Sequence, residues 1–321
     1  MNAIMGSKLI KAVLILWRLI RLGIKVDYYH LPQPLGVFID KEQLHGYYND
    51  LRLKAKWTGE RDEQGIPVSK TTLGKRIYFP TTIIQYGLGH YDLWLETHQE
   101  SHLQEVLKVA EWLLAHQDES GGWDVFGKIQ VGALNNYSAI TQGEAVSLLL
   151  RAYKETHDER YLIASKRAIT LMLKPVNQGG TALYKDNGDL FLEEVPLEKQ
   201  NTILNGWIFA IFGLWDYTLI VRDNSITQAL INTLDTLERH INKYDRGWWS
   251  NYDWQGSIAS PFYHRLHIAL LQALYKLTER SAFHDIAIKW QEYDRSSYKK
   301  GRAVLVKVWE KLKTSGEVLK E

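Results

Sequence analysis

The chain has 321 residues, 45% hydrophobic and 24% charged, with 39 basic side chains against 37 acidic and a formal charge of +2. That is the composition of a globular protein; it excludes a disordered chain, and the charge balance gives no broad face for nucleic acid. Cysteine is absent, which excludes disulfides, a thiol nucleophile and thiolate metal sites, while 12 Trp and 18 Tyr stand out because their flat apolar faces with polar tips suit sugar rings as well as cores.

In chain order, residues 9–24 read LIKAVLILWRLIRLGI, with Lys8, Lys11, Arg18, Arg21 and Lys25 in or beside the run. The longest uncharged stretch, Ala12 to Trp17, is six residues, against the roughly 20 that a spanning helix needs. No small-residue cleavage site follows. Two readings of residues 8–25 remain: a basic amphipathic helix in peripheral contact with a membrane surface, or a helix packed on the domain with its basic ends in water. Both fit a cytoplasmic or membrane-peripheral protein. Residues 1–56 are expected to supply N-terminal helices that pack on the main domain. Residues 57–78 have the turn and charge content of a long loop.

From residue 79 to 321 the chain repeats in organisation. Long apolar-periodic segments begin near 80, 138, 200 and 261, at intervals of 58, 62 and 61 residues. A short polar break and a second helical segment follow each, at 102–116, 159–173, 225–242 and 282–293. Ser101 with Gln104 forms a capping box, and Asp158 and Asn224 stand at cap positions for the next two. A fixed period of helix hairpins points to a solenoid or a closed ring. The first helix of each pair is apolar on nearly all sides yet carries Gln, Tyr, His and Asn, as the inner wall of a ring requires. The fold class read from this is all-α, an (α/α) barrel of about four helix hairpins. A basic helix-like stretch follows at 302–313. Two segments break the helical pattern: 181–195, read as two short strands joined by a type I′ turn at Asn187-Gly188, and the aromatic, turn-rich 244–258. Both fall between one pair and the next, which puts short β-hairpin loops at one end of the barrel, where sites are usually built.

Several motifs carry no chemistry. His98-Gln-Glu-Ser-His102 lacks the Glu directly after the first His that a zinc-protease helix needs. His264 and His267, three apart, have no third ligand at a suitable spacing. Asp186-Asn187-Gly188-Asp189 does not continue into a calcium loop. Glycine-rich phosphate loops and the serine-hydrolase elbow are absent. No metal and no cofactor are expected.

Four segments taken together are specific. They are Phe79-Pro80 with Gln85-Tyr86-Gly87-Leu88-Gly89-His90-Tyr91; Asn136-Tyr137-Ser138-Ala139 with Gln142-Gly143; Glu193-Glu194-Val195-Pro196 with Leu204-Asn205-Gly206 and Gly213-Leu214-Trp215-Asp216; and Asn251-Tyr252-Asp253 with Tyr263-His264-x-x-His267. In this order, over roughly residues 79–294, they resemble the C-terminal catalytic domain of D-glucuronyl C5-epimerases, which convert glucuronic to iduronic acid within heparan-type chains. The resemblance implies an (α/α) barrel of about four helix pairs. Larger members carry a β-rich domain after the QYG segment, where this chain has a short turn near 97–101.

Epimerising C5 removes a proton beside a carboxylate, passes through an enediolate and returns a proton to the opposite face. Two acid/base groups must flank the sugar, and its carboxylate must be neutralised. The resemblance implies Glu194 and Tyr263 as the flanking pair and Tyr252 as a third catalytic residue. A free phenol has a pKa of about 10, so Tyr263 acts as an acid, or as a base only with its phenolate stabilised. Substrate contacts are expected from Gln85, Tyr86, His90, Tyr137, Gln142, Asn205, Trp248, His264, Arg265 and His267. The implied partners are a uronic-acid polysaccharide and, since the family commonly dimerises, a second copy of the chain. Two departures stand out. Val195 replaces a catalytic tyrosine, and Gln255 replaces an arginine three residues after Tyr252; both put a heparan-type substrate in question. A polysaccharide lyase shares the first step and then expels the 4-substituent. A glycosidase would pair two of Asp124, Glu193, Glu194 and Asp253. A non-catalytic uronan-binding barrel would stack sugars on Trp and Tyr.

Overall fold

The helical periods become antiparallel pairs in the computed structural model, which describes residues 28–71, 74–129, 131–313 and 319–320. The inner helices are α1 (Pro80–Thr97), α3 (Ala139–Thr156), α5 (Leu204–Ile220) and α7 (Pro261–Thr278). The outer ones are α2 (Glu100–His116), α4 (Glu159–Met172), α6 (Asn224–His240) and α8 (Ser281–Arg295), and α9 (Ser297–Lys313) follows. Three inner helices end alike, on a left-handed residue (His98, His157 or Glu279, φ 53–57°) that turns the chain into the outer helix. The cap of α4 is Asp158, as its sequence position indicates, with the carboxylate accepting from Arg160 N. Asp223 rather than Asn224 caps α6, because its carboxylate reaches the N–H groups of Ser225 and Ile226. Ser101 is already inside α2, which starts at Glu100 without a side-chain cap.

Glycine sets the spacing of the inner wall. A Cβ on Gly143 would stand 2.6 Å from the Ala210 Cα, and one on Gly213 would stand 2.5 Å from the Gly143 Cα. The backbones of α3 and α5 therefore touch, and alanine at either place would push them apart. The inner helices run parallel and in register. Thr81 bonds Thr141 at 2.8 Å, Gln85 bonds Glu144 at 2.9 Å, and lower down Arg151 meets Asp216 at 2.7 Å. All their N-termini open at one end.

The other end is closed by chain that is not helical. Residues 28–56 are extended, with 3-10 turns only at Tyr28–His30 and Arg52–Ala55. Pro32, Pro34 and Gly36 break the helix expected there. Residues 34–50 fold back on themselves, with Gly36 N donating to Tyr48 O and Asp50 N to Pro34 O. The tip plugs the lumen: Arg151 donates to the carbonyls of His45 and Gly46, Asp92 accepts from Tyr47 N, and the Tyr48 hydroxyl donates to Asp216. The same segment bridges α1 and α7, since Leu51 packs on Gly89 while His30 meets Phe262 and Lys41 pairs with Glu279.

Residues 57–78 form a small antiparallel sheet rather than a loop. Strand β1 (Glu60–Arg61) pairs with β2 (Pro67–Thr71), and β2 with β3 (Arg76–Ile77). The short run Ile66–Lys70 buries Ile66 and Val68 between turn residues. The hairpin of β4 (Ala182–Tyr184) and β5 (Leu190–Leu192) stands between α4 and α5. Its turn is a type I turn followed by a bulge at Gly188 (φ 85°), not type I′. Asn187 stays out of the left-handed region and bonds Asp189 instead. Last, β6 (Leu319–Lys320) pairs with β2. Residues 8–25, read above as a surface or packed helix, lie outside the described residues. Among the described residues no helix is long and apolar enough to cross a membrane.

Candidate active site

The open end of the lumen collects the polar groups of the inner helices. Glu194 follows β5 and lies on the first turn of α5, where Asn205 Nδ2 donates to its Oε2 at 3.4 Å. A Cβ on Gly206 would stand 2.2 Å from that oxygen, so the glycine makes the seat for the carboxylate. Burial, and then the neighbouring charge of Glu193, push the Glu194 pKa up to about 7. Glu193 itself is raised to about 7 by burial; Thr202 donates to one oxygen, and the other has no protein partner.

The aromatic loop at 244–258 pairs with the chain entering α5: Leu204 N donates to Tyr252 O at 3.1 Å, and Ile203 bridges Asp253. This fixes Tyr252 beside the turn that holds Glu194. Its ring lies 4.7 Å from that of Tyr263 and is tilted 57° to it. Burial, with the Glu194 charge next, holds the Tyr252 phenol well above its ordinary value. Glu194, Tyr252 and Tyr263, expected together from the sequence, are thus brought together, with Asn205 bonded to the first of them.

Glu144 was not singled out in the sequence. Gln85 Nε2 donates to its Oε1 at 2.9 Å, its Oε2 is buried with no protein partner, and the side chain is wholly buried. Burial pushes its pKa up to about 8; the Gln85 bond and the Lys54 charge pull down, and Glu194 pushes up. The legible signal was its phase. Glu144 and Arg151 are two turns apart on one face of α3, and Arg151 reaches Asp216 on the neighbouring α5.

Other expected residues lie away from this cluster, for reasons of helix phase. Gln142, two positions from Glu144, points to the opposite side of α3 and is buried in the wall. Tyr86 and His90 face outward from α1: the Tyr86 hydroxyl donates to Glu105 on α2, and His90 Nδ1 meets His102 Nδ1 at 2.8 Å. Burial lowers His90 to about 4. The Tyr137 hydroxyl donates to Asp118. Trp248 is covered by Arg302, 4.0 Å from its ring, and by Arg246. His264 is a wall residue, stacked on Trp249 at 3.8 Å; its Nε2 donates to Trp290 O and its Nδ1 accepts from Ser250. Arg265 is exposed on the outer face near Asp294. His267 is buried, its ring stacked 6.5 Å from that of Tyr252. Gln255 turns away and donates to Gln200 O. Among the described residues, no group of three or more His, Asp or Glu could hold a metal ion.

The model of the family described as D-glucuronyl C5-epimerase C-terminus matches residues 117–292, more than half of the chain. The chain belongs to that family. A D-glucuronyl C5-epimerase of Caenorhabditis elegans is 26% identical over 220 residues, which are 61% of this chain and 36% of that protein. An uncharacterized protein of Methanocaldococcus jannaschii is 29% identical over 157 residues, 48% of this chain and 51% of that one. The chain therefore spans between about a third and a half of the curated relatives it matches. Among solved structures, an unsaturated glucuronyl hydrolase specific for heparin aligns over 77% of this chain and 81% of its own (11% identity, TM-score 0.46). The unsaturated glucuronyl hydrolase from Bacillus sp. GL1 aligns over 67% and 60% (15% identity, TM-score 0.47). Membership of the epimerase family and the (α/α) barrel agree with what the sequence motifs and the helix period imply.

Proposed function

We propose that the chain epimerises D-glucuronate residues of a polysaccharide at C5. The observation that carries this reading is the meeting of Glu194, raised to about 7, with the packed Tyr252–Tyr263 pair at the open end of the barrel. Near neutral pH a sizeable fraction of Glu194 is ionised, and it still binds a proton well enough to take one from C5. The C5–H electron pair moves into the enediolate as Glu194 gains the proton. Tyr263 then delivers a proton to the other face of C5, and the resulting phenolate is reprotonated through Tyr252. Glu194 releases its proton to water and Tyr252 takes one up from water, which resets the site. The N-termini of the parallel inner helices face the same opening, and their partial positive charge favours a bound uronate carboxylate.

The test is incubation with unsulfated glucuronate polymers in D2O. Deuterium at C5 together with iduronate signals is the expected result. A rise in ultraviolet absorbance from unsaturated ends would instead make the enzyme a lyase. The rate should climb as pH rises through about 7, where Glu194 loses its proton. Glu194→Gln and Tyr263→Phe should each abolish exchange while leaving the circular dichroism spectrum intact; undiminished turnover in either removes that residue from the mechanism.

A further inference from the structure

Lys307 lies on α9, beyond the family-matched segment. The helix reads SYKKGRAVLVKVWEKLK and exposes Arg302, Leu305 and Trp309, yet the Lys307 side chain is only 15% exposed. Its Nζ donates to Ile258 O at 2.7 Å, lies 3.6 Å from Glu310, and stands 5.5 Å from the centroid of the Tyr252 ring. The Glu310 carboxylate accepts from Ile258 N with both oxygens, at 3.0 and 3.1 Å. The pair thus grips one residue of the 244–258 loop from both sides of its peptide unit, and the grip brings an ammonium over the ring six residues earlier.

A lysine on a surface helix normally extends its head into water. Here burial lowers its proton affinity, with Glu310 and Asp253 opposing, so the position costs free energy. Holding Ile258 O needs a donor but no charge. The groups around Tyr252 show what a charge can do there: Glu194 from the loop after β5, Asp253 from its own loop, Tyr263 and His267 from α7, and Lys307 and Glu310 from α9. The carboxylates among them oppose a phenolate, His267 is held neutral by burial, and Lys307 is the cation in this set.

We propose that Lys307 is a positioning residue of the site, its ammonium above Tyr252 setting how readily the Tyr252–Tyr263 pair releases a proton. This rests on the reading that the pair does acid–base work, and its test is independent of turnover. Tyr252 is replaced site-specifically by 2,3,5-trifluorotyrosine, which lowers phenol titration by several pH units and so offsets the rise that burial causes, and its signal is followed by 19F NMR. In Lys307→Met that signal should titrate about one pH unit or more above wild type, the scale expected for removing a cation at this range. Lys307→Arg should restore it, and Glu310→Gln, which loosens the grip but keeps the cation, should not raise it. Equal titration in wild type and Lys307→Met overturns the proposal, as does an equal rise in Glu310→Gln. If Lys307→Met fails to fold, Lys307→Gln, which can still donate to Ile258 O, gives the same reading. A shift of the Tyr252 signal in a protein that catalyses no C5 exchange would refute the epimerase reading and leave the charge effect standing. Where exchange is present, its alkaline limb should move up with the signal.

Discussion

Replacing Glu144 by Gln should stabilise the protein, increasingly as pH rises. The carboxyl is wholly buried, accepts one hydrogen bond from Gln85 and is raised from 4.5 to about 8. In the unfolded chain it ionises near 4.5; in the folded protein it keeps its proton to about 8. Its contribution to stability is therefore complete below pH 4.5 and is lost as pH rises through about 8. At about 1.4 kcal/mol per pH unit, the wild type at pH 7 has given up about 3 kcal/mol that the uncharged amide keeps, since Gln can accept the same bond from Gln85. Urea denaturation of both proteins between pH 4 and 9 measures this directly. The curves should coincide near pH 4, with the variant ahead by about 3 kcal/mol at pH 7. A variant less stable than wild type at pH 7 would refute the reasoning, for it would mean that Glu144 is ionised and held by the nearby Lys54.

Two further predictions concern the walls of the lumen. Arg151→Met leaves the fully buried Asp216 carboxylate without its cation, and two plug carbonyls without their donor; it should cost about 3–5 kcal/mol by urea denaturation. Adding Asp216→Leu should recover a large part of that, and no recovery would show that the loss came from packing. Gly206→Ala places a methyl group where the Glu194 carboxylate rests. C5 exchange should fall by about a hundredfold, with a far smaller change in Tm; full exchange would mean that the Glu194 position is immaterial.

The sequence by itself determined the helix pairs and their order. The sixty-residue period places the inner and outer helices to within a few residues, because apolar periodicity and turn residues are local properties. The family resemblance that its motifs carry also named Glu194, Tyr252 and Tyr263 together. What the sequence left open is which way each inner helix faces. Helix α5 is apolar on almost every side, so no amphipathic stripe marks the face that meets the lumen. Neighbours in sequence consequently part company. Gln85 turns to Glu144 while Tyr86 turns to Glu105, and Tyr263 stays at the opening while His264 is sealed against Trp290. Only the assembled ring sets those phases, through backbone contacts such as Gly143 on Ala210. Tertiary structure alone also decided that the proline-broken segment after residue 30 plugs one end, and that a lysine from the last helix stands above Tyr252. Both are contacts between distant parts of the chain, set by how the ring closes and not by any local preference.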